Sequence, residues 1–299
     1  MIKKIMGFAR LARPANLPTA AADILAGISL SLFSIQVSAP VFMEENWTDI
    51  VFLVFASVFL YAGGVVFNDV FDAKLDATER PERPIPSGII PRKQAVFWGA
   101  LLMFLGVYLA MSVQGLSGSI AIILVVAIII YDAIAKKHSF FGPLVMGICR
   151  GLNLLLGMSI IGHIELWWIS IIPLVYIFAI TLISRGEVHG NNKKHIVIAA
   201  LLYGLVILLI SVSIGQMTQN ILMSIPFILL FGFLVFRPLL RAYKDNAPQN
   251  IKKAVMAGVL SLVVMDACWV VGFANWYIAV GVLLLLPLSL LLSRIFAVT

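Results

Sequence analysis

Ten uninterrupted apolar runs, each near twenty residues long, divide this sequence at about 17–38, 49–67, 94–113, 118–135, 143–162, 167–184, 196–214, 221–237, 254–272 and 276–294. About twenty residues is what a helix needs to cross a hydrocarbon core roughly 30 Å thick. In lipid the backbone has no water to bond to, so only helices and closed barrels are open to such a chain. Barrel strands alternate in polarity over about ten residues. These runs are continuous, which selects helices. Composition agrees, since only 12% of the residues are charged, against about a quarter in a soluble domain. The expected fold is all-α, a polytopic membrane helix bundle. No internal repeat, low-complexity stretch or soluble domain interrupts it, so residues 1–299 read as one domain. The basic N-terminus followed by an apolar run looks superficially like a signal peptide. The run is too long, and Pro40 after Ser38-Ala39 disfavours cleavage, so it reads as a retained first span.

The 21 Lys and Arg are distributed one-sidedly. All except Arg150 fall before the first run, in alternate connections, or at the end of the last. The connections around Glu44, Gln114, His163, Gln216 and Asn275 hold none. This is a positive-inside pattern and places the basic connections in the cytoplasm. The net charge of +7 is therefore a topology signal and a candidate anion-binding face; no nucleic-acid partner is expected. Cys149 and Cys268 lie inside apolar runs without metal-ligand spacing and read as buried packing.

The connection 68–93 is the longest and most polar on the basic side. It opens with Asn68-Asp69 and continues through Asp72, Asp76, Glu79, Arg80, Glu82 and Arg83. If the second helix runs on, Asn68, Asp72 and Asp76 recur every four residues and share one face. Such a row repels itself unless a cation neutralises it. Mg²⁺ takes one or two carboxylates and fills its shell with water and substrate phosphates. The candidate metal ligands are therefore Asn68, Asp69, Asp72 and Asp76, with Arg80 and Arg83 available to hold the same phosphates. Pro81, Pro84, Pro86 and Gly88 should end the helix and force an ordered turn.

Asn68-Asp-x-x-Asp72-x-x-x-Asp76 followed by Arg80-Pro-Glu-Arg83-Pro-Ile-Pro-Ser-Gly88 closely resembles the signature of the UbiA superfamily of intramembrane prenyltransferases. The resemblance extends to Arg13-Pro14 before the first span and to Tyr131-Asp132-x-x-x-Lys136 at the end of the fourth. It implies a nine-span helical bundle around a central cavity, with loops of the active site at the cytoplasmic side. It also implies Mg²⁺-dependent transfer of a prenyl group from a prenyl diphosphate to a small acceptor. Ten runs exceed nine spans. The last is either an added helix or a mis-split ninth, and Arg294 favours the added helix. By the same resemblance Lys136 binds diphosphate, and Tyr131 and Asp132 face the reacting carbon. The residue chemistry agrees, because an aromatic face stabilises an allylic cation and an ammonium takes the leaving group. Read alone, these three are ordinary interfacial anchors.

The stretch after the sixth span, Ser184-Arg185-Gly186-Glu187-Val188-His189-Gly190-Asn191, carries no Asp where most of that family has a second Asp-rich motif. Glu187 and Asn191 stand in the carboxylate positions and are the candidate second metal ligands. Arg185 is a candidate diphosphate contact, and His189 or Glu187 a candidate base on the acceptor. The stretch resembles the EboC-type branch of the superfamily, which implies a polyhydroxylated acceptor and an ether product. An aromatic acceptor is the other reading. Either set of residues could instead be plain helix-end polar groups.

Arg150 lies inside the fifth span with Asn153 three residues on. A lipid-facing Arg costs about 2.5–3.5 kcal/mol even on lenient scales, so it should face the interior. A substrate contact is favoured over a structural pair with Asp132. Asp266 is compatible with a structural hydrogen bond, and Asn16 with a place in the cavity. Trp167, Trp168, Trp269 and Trp276 fall near run ends and read as interface-belt residues. The leading expectation is a Mg²⁺-dependent isoprenoid transferase in a bacterial inner membrane, its site toward the cytoplasm, with no obligate protein partner inferred. A transporter or an inactive scaffold of the same family are the alternatives.

Overall fold

A computed structural model of the chain describes residues 2–187 and 190–296. Among these residues there is no strand, and ten helices are long and apolar enough to cross a membrane. The first is the stretch Lys3–Ser34. It comprises α1 (Ile2–Leu11), a tight turn at Pro14–Asn16 and α2 (Leu17–Ser34). A short α3 (Ala39–Glu45) leads into α4 (Trp47–Glu79), then α5 (Arg92–Val113), α6 (Gly115–Ala133), α7 (Phe141–Met158) and α8 (Ile171–Ser184). These are followed by α9 (Lys193–Met217) and α10 (Ile221–Lys244). The ninth crossing is α11 (Pro248–Leu260) with α12 (Leu262–Phe273), and the tenth is α13 (Trp276–Leu283) with α14 (Leu285–Ile295).

The tenth run is thus an added helix, and its α14 half returns to pack against Pro14–Asn16 and α2. Not every helix faces lipid. α12 is buried over its whole length, and so is most of α2, so these two form the middle of the bundle. Trp269 lies on α12 with no exposed surface and stacks near Phe273. The interface-belt reading fails for it, because its run end is covered by other spans. Trp167, Trp168 and Trp276 are exposed as expected.

α2 and α7 meet through glycine. A Cβ on Gly27 would lie 2.4 Å from the Leu154 carbonyl oxygen, and one on Gly157 would lie 2.6 Å from that of Ile24. Neither backbone can be that close to a larger residue, and small-residue contacts of this kind let membrane helices approach. One turn before each glycine stand Asp23 and Asn153, so the same contact brings polar groups of the two helices together.

Candidate active site

α4 has 33 residues, about 50 Å of helix at roughly 1.5 Å per residue. That exceeds the hydrocarbon core by about 20 Å, so the helix carries its carboxylates beyond the apolar layer before ending at Glu79. The expected run-on helix is present; the expected single acidic face is not. At about 100° per residue, Asp69 and Asp76 fall nearly in line while Asn68 and Asp76 diverge by about 80°. Asp69 and Asp76 are both buried and share Arg83, whose Nη1 lies 3.2 Å from Asp69 Oδ1 and 2.7 Å from Asp76 Oδ2. Arg13 Nη2 donates to the same Asp69 oxygen at 2.6 Å. Asn68 and Asp72 face α6 instead. Asn68 Nδ2 donates to Asp132 Oδ1 at 2.7 Å, and Lys136 Nζ pairs with Asp72 Oδ1 at 2.6 Å.

Arg83 is therefore a partner of carboxylates here, folded back by the turn after α4, whose Ile90 is fully buried. Arg80 is exposed and makes no ion pair among the described residues. Arg13 was not among the expected site residues. It holds the left-handed backbone φ 45°, ψ 66°, which costs a residue with a side chain about 1–2 kcal/mol. The ion pair with Asp69 holds it there, against the extended preference that the following Pro14 imposes.

Beneath this rim lies a cavity of about 410 Å³. Arg13, Asn68, Tyr131 and Asp132 line its mouth, and Thr19, Tyr61, Arg150 and Asn153 its inner polar wall. The opposite wall is apolar, with Met146, Ile177, Ile180, Val255, Val259 and Leu262. Cys149 also lines the cavity, so only Cys268 is plain core packing. Asn16 is not on the wall; its carbonyl accepts from Thr19 Oγ1 at the start of α2. A separate hollow of about 540 Å³, around Gln36, Glu165 and Asn275, lies at the other end of the bundle and shares no residue with the motif.

Arg150 does face the interior, but its pair is not Asp132. Nε lies 2.7 Å from Asp23 Oδ2, and Nη2 lies 3.5 Å from Asp266 Oδ2. Asn153 is tied into the same group, donating to Asp23 and accepting from Ser57. Asp23 carried the signal that could have revealed this, since it is a carboxylate inside an apolar run and needs a partner as Arg150 does.

After α8 the chain turns instead of continuing as helix. Arg185 is exposed and donates to the His138 carbonyl at 3.1 Å. Glu187 is off the cavity wall. Burial raises its carboxyl above the usual range, while Lys252 and Arg80 pull it back down. Asn191 is exposed with φ 54°, so the spacing to Glu187 is not that of a helix face. His189 lies outside the described residues. The organising residue is Asn192, which is buried and whose Nδ2 donates to the carbonyls of Leu182 and Ile183. It closes the end of α8, and its own N–H is held by Asn246.

A family model for UbiA prenyltransferases matches residues 38–256. The chain belongs to the UbiA prenyltransferase family. Its similar relatives include the digeranylgeranylglyceryl phosphate synthases of two archaea. That of Methanosarcina mazei is 40% identical over 130 residues, 43% of this chain and 45% of the relative. That of Methanoregula boonei is 30% identical over 181 residues, 60% and 59% of the two chains. The chain spans about half the length of the curated relatives it matches. Among solved structures, a digeranylgeranylglyceryl phosphate synthase superposes with a TM-score of 0.65 at 21% identity, over 90% of this chain and 98% of that one. A UbiA homologue of Archaeoglobus fulgidus bound to GPP and Mg²⁺ gives 0.64 at 12% identity, over 88% and 99%. These likenesses confirm the UbiA fold. The relatives' names carry a glyceryl phosphate product in place of the EboC-type branch that Ser184–Gly190 resembles.

Proposed function

We propose that the chain transfers a prenyl group from a prenyl diphosphate to a hydroxyl of a small acceptor. The observation that carries this reading is the cavity's construction, with an acid-and-base rim over a space having one apolar and one polar wall. An allylic tail suits the apolar wall, which also keeps water from the reacting carbon. The relatives' names, with prenyl groups carried on a glyceryl phosphate, support a hydroxyl acceptor.

The rim's donors fit Mg²⁺. They are oxygens, the preference of a hard cation, and the Asn68 side chain bonds through its nitrogen, leaving Oδ1 for a ligand. Asn68 and Asp72 are the residues that would hold it, because Asp69 and Asp76 are buried against arginines while Asp72 is partly exposed and gives only its Oδ1 to Lys136. Bound there, Mg²⁺ would supply charge neutralisation of the leaving diphosphate. Lys136, a turn from Asp132, and Arg13 at the mouth supply further positive charge to the same oxygens. As the C–O bond to diphosphate breaks, Tyr131 faces the developing cation with its ring. The acceptor oxygen forms the new C–O bond and loses its proton. Asp132 lines the cavity, and Asn68 occupies only its Oδ1, so Oδ2 is the place for that proton. Glu187 does not line the cavity, so this role falls to Asp132.

The basic end of the bundle, and the site with it, faces the cytoplasm. The test is radiolabelled geranyl and geranylgeranyl diphosphate with purified protein and a panel of hydroxyl acceptors, with and without Mg²⁺. Mg²⁺-dependent diphosphate release coupled to an acid-stable prenyl ether is expected. No release with any donor and acceptor would remove the reading.

A further inference from the structure

The cavity's inner polar wall carries a cation, Arg150, yet that cation is already matched. Its Nη2 donates to the Thr19 carbonyl at 2.8 Å and approaches Asp266, its Nη1 reaches Thr19 Oγ1 at 3.3 Å, and its Nε faces Asp23. A guanidinium has five N–H groups. Two of them hydrogen-bond to Thr19, while Nε and Nη2 stand in ion-pair range of Asp23 and Asp266, which leaves one N–H on Nη1 for a ligand. Asp23 and Asp266 have almost no exposed surface and do not line the cavity, whereas Arg150 does. Two carboxyls therefore stand behind one guanidinium. Asp23 lies against the Arg150 guanidinium and accepts from Asn153, so the cation is paired on the side away from the cavity and offers it little net positive charge.

We infer that this wall, formed by Arg150, Thr19 and Tyr61, is an acceptor subsite for a neutral hydroxyl, and that Asp23 and Asp266 set this specificity by cancelling the charge of Arg150. The inference rests on the prenyl-transfer reading for the word acceptor, but the charge balance stands on the structure. An anionic group entering here would lose its hydration and meet no net positive charge. A hydroxyl loses less, and can accept from Nη1 while donating in turn. Tyr61 brings a phenol to the same wall, seven residues before Asn68 and so about 10 Å deeper along α4. An anionic group on an acceptor long enough to extend to the rim meets Arg13 and Lys136 there, and not Arg150. The arrangement is a filter built from two residues that never touch the ligand.

The experiment measures binding by calorimetry to purified protein without prenyl diphosphate. The probes are two matched pairs, 4-hydroxybenzyl alcohol with 4-hydroxybenzoate, and a monoprenyl glycerol ether with its phosphate. The native chain should bind the neutral member of the first pair at least about tenfold more tightly. In the second pair the phosphate can reach the rim, so the native chain should bind the two members within about tenfold of each other. Asp23→Asn with Asp266→Asn should reverse the preference in the first pair, and adding Arg150→Gln to that double variant should restore it. The proposal is overturned if the native chain prefers 4-hydroxybenzoate and Arg150→Gln loses that preference, or if neither member binds. These arms need only the native chain and Arg150→Gln, so they decide even if the double variant does not fold. Absence of turnover with the binding preference intact would remove prenyl transfer and leave the subsite standing.

Discussion

Asp69 and Asp76 share Arg83 while Asp72, on the same helix, meets Lys136, and the variants at Asp72 and Asp76 should separate accordingly. Asp72 is a quarter exposed and pairs with Lys136 at the rim. Removing a surface-accessible pair costs about 1 kcal/mol or less. Asp72→Ala should therefore leave the melting temperature nearly unchanged while turnover falls at least about a hundredfold, the usual scale for losing a group that stabilises developing charge. Asp76 is buried against Arg83, and its loss leaves a buried cation short of a partner. Asp76→Ala should cost about 1–3 kcal/mol of stability, read as a lowered midpoint in detergent. Equal midpoints for the two variants would refute the division of the row. Glu187 gives a pH-dependent case. Its raised carboxyl means that the folded chain holds a proton which the unfolded chain has released, so stability falls as pH rises from the ordinary carboxylate range through the folded value. Glu187→Gln removes that loss. It should raise the melting temperature at pH 7.5 and leave it unchanged near pH 4, by well under about 1 kcal/mol because the group is partly exposed. Spacing alone showed that the row exists. It could not show which carboxylates arginines would neutralise, because Arg13 arrives from before α2 and Arg83 is folded back by the turn after α4.

At the scale of elements, the Gly27–Gly157 contact sets the distance between α2 and α7, and with it the Asp23–Arg150 pair. Gly27→Ala would drive a methyl group into the Leu154 carbonyl, so the helices must part. Overpacking of this kind costs about 1–3 kcal/mol. Gly204→Ala is the control, since nothing lies within reach of its added Cβ and helix propensity favours Ala by about 1 kcal/mol. Thermal unfolding should move in opposite directions for the two, and a matched shift would show that the close contact is not what holds the helices. Long helices were legible because continuous apolar runs leave no other structure in lipid. Shorter features were not. The amphipathic α1, with Lys3, Lys4 and Arg10 exposed and Leu11 buried, is too short and too polar to register as a run. The break between α11 and α12 has no Pro to announce it and only Gly258 in the turn before; Ser261 Oγ bonds back to the Ala257 carbonyl, a contact that bends helices. The turn after α8 was read as a possible metal-binding face because Glu187 and Asn191 are four apart. Asn192, which closes α8, ends the helix before that spacing can act.

For the whole molecule, the question is which side of the bilayer the site faces. Ten crossings return Arg294 to the side of Lys3, and the basic connections between them gather at the end where α4 projects its carboxylates. Lys and Arg are held back from translocation, so this end should stay in the cytoplasm. The same end carries the mouth of the cavity, so a single orientation decides both topology and substrate access. Two exposed positions report it, Lys137 in the turn after α6 and Gln216 near the far end of α9. With both native cysteines replaced by Ala, Gln216→Cys should react with a membrane-impermeant maleimide on intact cells. Lys137→Cys should react only after permeabilisation. A prenyl diphosphate made in the cytoplasm would then reach the rim directly, while its tail enters through the apolar wall. Labelling of Lys137→Cys on intact cells would invert the bundle and put the diphosphate-binding rim on the side where no such substrate is made.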